Sequence, residues 1–181
     1  MKRWIIIGMF LLGVVAVNAQ EKLAFSKVIK ADSVSTEGIF VSIKEWLSME
    51  FKKGNNAIEL EDKKAGLLIA NASSNYKSLT NGIMYAWSSG SIEYIINIQI
   101  REGRFKVTLT NFILKCPNKG GEKLGILTSA EESTYKGWEK KHYNKVWKDL
   151  KIKSKDIADQ WFALFETINF SNYKQDTSED W

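Results

Sequence analysis

The sequence predicts a two-layer α+β domain, in which two amphipathic helices cover one face of an antiparallel sheet in the order strand, helix, four strands, helix. Apolar and polar residues alternate within residues 91–115, the pattern of a sheet with one wet face. Apolar residues recur at helical spacing after Ser35 and again after Ser154. The chain has 181 residues, of which 44% are hydrophobic, and this is enough to form one core.

Residues 91–115 are predicted to form the central hairpin of the sheet. A turn at Glu102 and Gly103 pairs Arg101 with Arg104. The same register places Ile100 opposite Phe105, Ile98 opposite Val107 and Ile96 opposite Leu109 on the buried side. The polar side then comprises Asn97, Gln99, Arg101, Arg104, Lys106, Thr108 and Thr110. Because Glu-Gly is a weak turn signal, a longer bulged loop with a shifted register stays open as an alternative.

The elements before this hairpin follow in order along the chain. Residues 23–30 predict a first strand, because their apolar side chains alternate imperfectly with polar ones. Ser35 stands at the N-cap of a helix that ends in the basic turn and glycine of residues 52–54. Its apolar face comprises Ile39, Ile43, Trp46, Leu47 and Phe51. Residues 57–72 predict a second hairpin, whose last strand is expected to continue into residues 73–91.

The chain after the sheet is predicted to contain a long connection and a second helix. Residues 116–121 combine proline, asparagine and glycine, which end the sheet. Segment 133–155 mixes aromatic residues with lysines and predicts partial helix. Ser154 is then predicted to cap a separate amphipathic helix, whose apolar face comprises Ile157, Trp161, Leu164, Phe165 and Ile168.

The N-terminal 19 residues are predicted to be a secretory signal peptide, because Lys2 and Arg3 precede a short apolar run with a small-residue exit at Ala19. An uncleaved anchor is the alternative. Residues 20–172 are expected to form a single domain, and residues 173–181 a flexible tail. We therefore expect an exported protein, located in the periplasm, at the cell surface or secreted.

Net charge argues against a nucleic-acid partner, and cysteine content argues against a disulfide-stapled fold. The formal net charge of +5 falls to +3 without Lys2 and Arg3, which is too small an excess for a nucleic-acid partner. Cys116 is the only cysteine, so no internal disulfide staples the fold. The apolar core alone must therefore hold the domain together.

Few residues are candidates for catalytic chemistry. Cys116 and the single histidine, His142, form the one enzyme hypothesis, a thiol-dependent or hydrolytic site oriented by Asp149 or Glu139. Neither residue has a family-type sequence around it, so a loop thiol and a solvated histidine are the competing interpretation. The sequence therefore favours a protein that is not an enzyme.

Cofactor and metal signals are equally sparse. Glu59 and Glu61 are expected on one strand face, either as a paired-carboxylate site or as the wet side of a hairpin. Gly120 and Gly121 are not followed by the Lys-Ser/Thr pair of a phosphate loop. Histidine, cysteine and aspartate show no metal-ligand spacing. We expect no cofactor.

Two surfaces are candidates for holding a partner, which is expected to be an envelope protein, a glycan or a lipid surface. One is segment 133–155, whose aromatic and basic residues pack on the domain or form a docking surface. The other is the polar side of the central hairpin, which is either solvated or a docking face. The candidate residues are Trp138, Tyr143, Trp147, Lys140, Lys141, Arg101, Arg104 and Lys106. Self-assembly through an exposed strand edge is a third hypothesis.

Three stretches resemble a known family of exported Bacteroidetes proteins. They are WLSMEFKK (46–53), ELEDKKAGLLIANA (59–72) and IQIREGRFKVTLTNF (98–112). These are similar to the family called domain of unknown function 4468, described as having a TBP-like fold. The resemblance covers about residues 23–115. It implies an exported envelope protein with a TBP-like β-α-β-β-β-β-α unit and no assigned activity. DNA binding does not transfer with that topology.

Overall fold

The five strands form one antiparallel sheet in the order β1-β5-β4-β3-β2. This is a computed structural model that describes residues 20–51, 57–78, 88–117 and 121–173. Its elements are β1 (Phe25–Lys30), α1 (Thr36–Phe51), β2 (Ala57–Asp62), β3 (Leu67–Tyr76), β4 (Gly90–Arg101), β5 (Arg104–Lys115) and α2 (Lys140–Glu166). The predicted α+β class and element order are confirmed. The expected signal peptide (1–19) and the basic end of α1 (52–54) lie outside the described residues.

The central hairpin has the register that the alternation predicts. Arg101 pairs with Arg104, and Ile98 pairs with Val107. Gly103 adopts a φ of 66° with open space around its Cα, so the turn uses the left-handed conformation that glycine tolerates best. The longer bulged loop considered as an alternative at this turn is therefore not formed.

A bulge interrupts β5 beyond the predicted pairs. The register shifts between Glu93 and Ile95 of β4, and Asn111 of β5 takes a left-handed φ of 58°. The extra residue reverses the alternation, so Phe112 turns to the helix side and its ring stacks on Tyr94 at 5.5 Å. The apolar wall therefore continues to the far end of the sheet.

A second bulge, in β2, separates the two carboxylates that were predicted to share a face, Glu59 and Glu61. The register shifts between Ile58 and Leu60. Glu59 accepts a 2.9 Å hydrogen bond from the side-chain amide of Asn71, on the open side of the sheet. Glu61 instead forms a 2.7 Å ion pair with Lys44 of α1. Because the two carboxylates point to opposite sides, the prediction that they share a face is wrong.

Helix α1 begins as the sequence predicts. The Ser35 hydroxyl oxygen accepts a 3.1 Å hydrogen bond from the Gly38 backbone N–H, which is the N-cap interaction. Ile39, Ile43 and Leu47 are fully buried against the sheet. The predicted apolar face is therefore the packing face.

Helix α2 is one continuous element rather than two. It has 27 residues and extends about 40 Å, the length of the longest strands. Ser154 lies in its interior, fully buried, with no hydrogen-bond partner for its hydroxyl oxygen. The predicted cap at Ser154 is wrong, because the buried stripe through Tyr143, Trp147, Ala158 and Phe165 keeps one helical phase across that position.

The chain segment that follows β5 returns to pair with the outer side of β5. Strand β1 pairs only with residues 104–109 of β5. Beyond the bulge, Ile126 bridges to Ile113, and the Leu127 N–H donates a 2.8 Å hydrogen bond to the Phe112 carbonyl oxygen. The same segment also pairs with the N-terminal side, where Lys22 bridges to Thr128. Both halves of β5 are thus covered.

The C-terminal end of the described chain packs against the domain. Tyr173, at the start of the expected tail, lies in a short 3-10 turn (Ser171–Tyr173) and packs against the core beside Gly38. Residues 174–181 lie outside the described residues.

Among the helices that the structure describes, none has the length and apolar character needed to cross a membrane.

Candidate binding surfaces

The aromatic residues of segment 133–155 separate into buried and exposed groups. Trp147 is 0% exposed, and its indole N–H donates a 3.0 Å hydrogen bond to the Ala130 carbonyl oxygen. Tyr143 is also buried and stacks on Tyr135, with ring centroids 3.9 Å apart. Trp138, by contrast, is 88% exposed. Of the three aromatic candidates, only Trp138 is therefore available to a partner.

Four lysines of α2 surround one shallow depression. It has a volume of about 430 Å³ and is lined by Lys140, Lys141, Lys145, Lys148, Asn144 and Glu132. Glu132 pairs with Lys140 at 2.7 Å, and this contact holds the pKa of the carboxyl below its ordinary value. Lysines therefore outnumber carboxylates in the lining of this depression. We call these four lysines, together with Trp138, the lysine surface.

A second group of cations lies at the hairpin end of the open sheet face. Arg104 is paired across strands with Arg101 on one side and with Lys30 on the other. Lys106 lies two residues further along β5, on the same face. All four side chains are exposed, and none makes an ion pair with another described residue. We call Lys30, Arg101, Arg104 and Lys106 the cation row.

The open sheet face around the cation row carries polar and aliphatic side chains. On β4, the first carboxylate of this face is Glu93, about 27 Å away along the strand. Leu67 and Ile69 of the neighbouring strand are only partly buried. In the strands as the structure describes them, the open face carries no aromatic ring. Charge and aliphatic surface are thus the features it offers.

The predicted candidate residues do not form one site. Arg101, Arg104 and Lys106 lie on the open sheet face, whereas Trp138, Lys140 and Lys141 belong to the helix layer. The helices cover the other side of the sheet, as the contact between Phe105 of β5 and Phe165 of α2 shows. The prediction omitted Lys30, and it included Lys145 and Lys148 only as part of segment 133–155.

The thiol of the enzyme hypothesis is in an unsuitable environment. Burial raises the pKa of Cys116, whereas a nucleophilic cysteine needs a lowered pKa. The neighbour of its sulfur is Gly121, which follows the sheet. Asp149, the proposed orienting group, instead accepts a hydrogen bond from the Tyr76 hydroxyl. Within the described ranges, no three His, Cys, Asp or Glu side chains gather as metal ligands.

A larger groove lies between α1 and β2 and was not foreseen. It has a volume of about 770 Å³, and its lining includes Phe40, Met49 and Lys63. Both lysines of its lining are already engaged, since Lys44 pairs with Glu61 and Lys63 pairs with Glu37 at 2.5 Å. The described residues that line the groove include no cysteine, no histidine and no cluster of unpaired cations.

Comparison with known proteins supports the same fold. The model of the family described as "Domain of unknown function (DUF4468) with TBP-like fold" matches residues 25–115. A TBP-like protein from Parabacteroides distasonis ATCC 8503 is 12% identical, with a TM-score of 0.53 over 82% of this chain and 95% of that chain. A DUF4468 family protein from Bacteroides ovatus ATCC 8483 is 16% identical, with a TM-score of 0.55 over 86% and 94%. No curated protein matches.

These comparisons define the family but not an activity. At such low identities the two solved structures establish a shared fold alone. The family model extends over half of the chain, from the first strand to the end of the central hairpin. It covers the stretches from which the resemblance was inferred. The chain therefore belongs to the DUF4468 family of domains of unknown function with a TBP-like fold.

Proposed function

We propose that the protein is an exported, non-enzymatic binding module of the cell envelope, which holds an acidic protein partner on its open sheet face. The cation row is the observation that supports this proposal. Like charges placed directly opposite each other in neighbouring strands repel and weaken a sheet. Arg101, Arg104 and Lys30 occupy three such adjacent positions, and none of them forms an ion pair with a carboxylate in the part of the chain that the structure describes. An acidic partner removes that repulsion.

The surroundings of the cation row favour a protein over a glycan or a nucleic acid. Single-stranded nucleic acids are held largely by stacking on aromatic side chains, and the described open face offers none. Leu67 and Ile69, which pair with Gln99 and Asn97, supply aliphatic surface on the same face. Arginine together with apolar side chains is the composition that protein interfaces favour.

The predicted signal peptide supports an envelope location for this module. The N-terminal residues have the charge and apolar pattern of a signal peptide, and the sequence contains one cysteine. The elevated pKa of that cysteine disfavours the thiol-enzyme alternative. Binding, rather than catalysis, is thus the activity that the exposed residues support.

Site-specific photo-crosslinking tests the proposal. A photo-reactive amino acid at Asn97, on the open face beside the cation row, is expected to capture one acidic envelope protein in living cells. The affinity of the purified pair is then measured by calorimetry for the wild type and for Arg104→Glu. We expect Arg104→Glu to weaken binding by about tenfold or more, and the loss to shrink at high salt.

The matched control is Lys115→Glu. Lys115 is a cation at the opposite end of the same strand and pairs with Ser91 rather than with another charge. This variant should bind within about twofold of the wild type. Equal losses for Arg104→Glu and Lys115→Glu contradict the proposal. Recovery of an acidic polysaccharide instead of a protein contradicts the assignment of the partner class.

A further inference from the structure

We propose that the lysine surface seats the protein on an anionic lipid leaflet. This contact is separate from the partner proposed for the open sheet face, because it lies in the helix layer on the other side of the sheet. The occupant is inferred from the arrangement of charge and of exposed apolar side chains at the first turns of α2.

The outward stripe of α2 is basic over its first half. Lys141, Lys145 and Lys148 are exposed and follow each other at spacings of four and three residues, so they lie on one helical face. That face is opposite the stripe buried through Trp147 and Leu150. Lysine ammonium groups on one helical face can pair with the phosphates of lipid headgroups.

Carboxylates enter the outward side of α2 only in its second half. Asp156 lies 3.5 Å from Lys153, and Asp159 lies 2.5 Å from Lys155. Carboxylates of that half therefore pair with its lysines, whereas in the first half four lysines and one carboxylate line the depression. The segregation gives the helix a basic end and a neutral end. A negatively charged surface is expected to contact the basic end.

Exposed apolar side chains accompany the lysines. Trp138 is 88% exposed two residues before α2 begins, and Ile152 is 60% exposed one turn after Lys148. Tryptophan is favoured at the boundary between lipid headgroups and acyl chains, where its ring is buried and its N–H stays solvated. An indole of this exposure beside lysines is typical of interfacial binding. A purely electrostatic contact with an acidic protein leaves Trp138 without a role.

Vesicle co-sedimentation tests the inference on the mature protein. The probes are phosphatidylcholine vesicles with and without added phosphatidylglycerol, at about 0.1 M salt. We expect binding only to the anionic vesicles. Lys141→Glu/Lys148→Glu is expected to lower the partition coefficient by about 30-fold or more. Trp138→Ala is expected to lower it by about tenfold, through lost apolar burial.

The matched control is Lys64→Glu/Lys77→Glu, which makes the same charge change at two exposed lysines outside the lysine surface. This variant should retain partition within about threefold of the wild type, since long-range effects are screened at this salt. Quenching by lipids brominated on their acyl chains adds a direct reading of Trp138 insertion. The wild type should be quenched more strongly than Trp138→Phe.

Three outcomes overturn the inference. They are equal binding to neutral and anionic vesicles, equal losses in the two lysine pairs, and identical lipid quenching of the wild type and Trp138→Phe. Circular dichroism of each variant distinguishes lost binding from lost folding. A failure of the open-face partner leaves these measurements unchanged, because none of the altered residues belongs to the cation row.

Discussion

The hydroxyl group of Tyr76, at the end of β3, donates a hydrogen bond to the carboxylate of Asp149 on α2. Both residues are buried, so this bond links the sheet to the middle of the long helix. Tyr76→Phe leaves the carboxylate without that donor and should cost about 2–3 kcal/mol of unfolding free energy, measured by urea denaturation. Asp149→Asn keeps an acceptor and should cost less. A Tyr76→Phe cost below about 0.5 kcal/mol contradicts the contact.

The same buried tyrosines predict alkaline unfolding. Burial raises the pKa of Tyr76 above its ordinary value of 10.0, helped by the bond to Asp149, and burial also raises the pKa of Tyr94. The unfolded chain ionises above pH 10 while the folded chain keeps its protons. Stability is therefore fully present below pH 10 and falls above it, by about 1.4 kcal/mol per pH unit for each such tyrosine.

Urea denaturation between about pH 8 and pH 11.5 measures this slope. Tyr76→Phe should reduce the slope by the share of one tyrosine. The share of the tyrosinate absorbance that Tyr76 and Tyr94 contribute should rise only together with unfolding. A folded protein that shows full tyrosinate absorbance at about pH 11 contradicts the prediction.

Ser154 provides a test of helix continuity. Its hydroxyl oxygen is buried without a hydrogen-bond partner in the interior of α2. Ser154→Ala removes an unsatisfied polar group and improves helix propensity, so we expect a gain of about 0.5–1 kcal/mol in unfolding free energy. A helix beginning at Ser154 predicts the opposite sign, a loss of about 1 kcal/mol, because an N-cap would be removed.

The cation row predicts that stability and binding respond in opposite directions. Arg104→Gln removes the charge that lies between Arg101 and Lys30. We expect the unfolding free energy to rise by about 0.5–1 kcal/mol at low salt, and partner binding to weaken. The gain should shrink as salt screens the repulsion. Lys115→Gln, at a position paired with Ser91, should leave stability unchanged.

Local patterns were sufficient to predict the central hairpin and α1. The pairs around Arg101 and Arg104 follow from a period of two, and the cap at Ser35 follows from one residue type at a helix start. The bulge at Asn111 was missed, because one extra residue inside a strand changes the phase without a turn signal. Phe112 and Leu114 nevertheless alternate out of phase with Leu109, and this was the available signal.

The candidate surfaces were predictable only in part. Composition groups Trp138 with Trp147, but the two side chains differ in exposure. Trp147 lies on the buried face of α2, whereas Trp138 precedes the helix and is exposed. Lys30 joins Arg104 through the pairing of β1 with β5, a contact between strands remote in sequence. No local pattern reveals such a neighbour. The cation row therefore becomes visible only once the strand order is known.

The way β5 is enclosed limits how this protein can polymerise. Its outer side is occupied by β1 along one half and by the Ile126 segment along the other, so no strand can be added there. The outermost strands, β1 and β2, have six residues each, and β2 is interrupted after Ile58. Short or bulged margins are poor templates for cross-β growth. Copies of the protein crowded together should thus resist amyloid conversion, and any assembly they form should join through side chains.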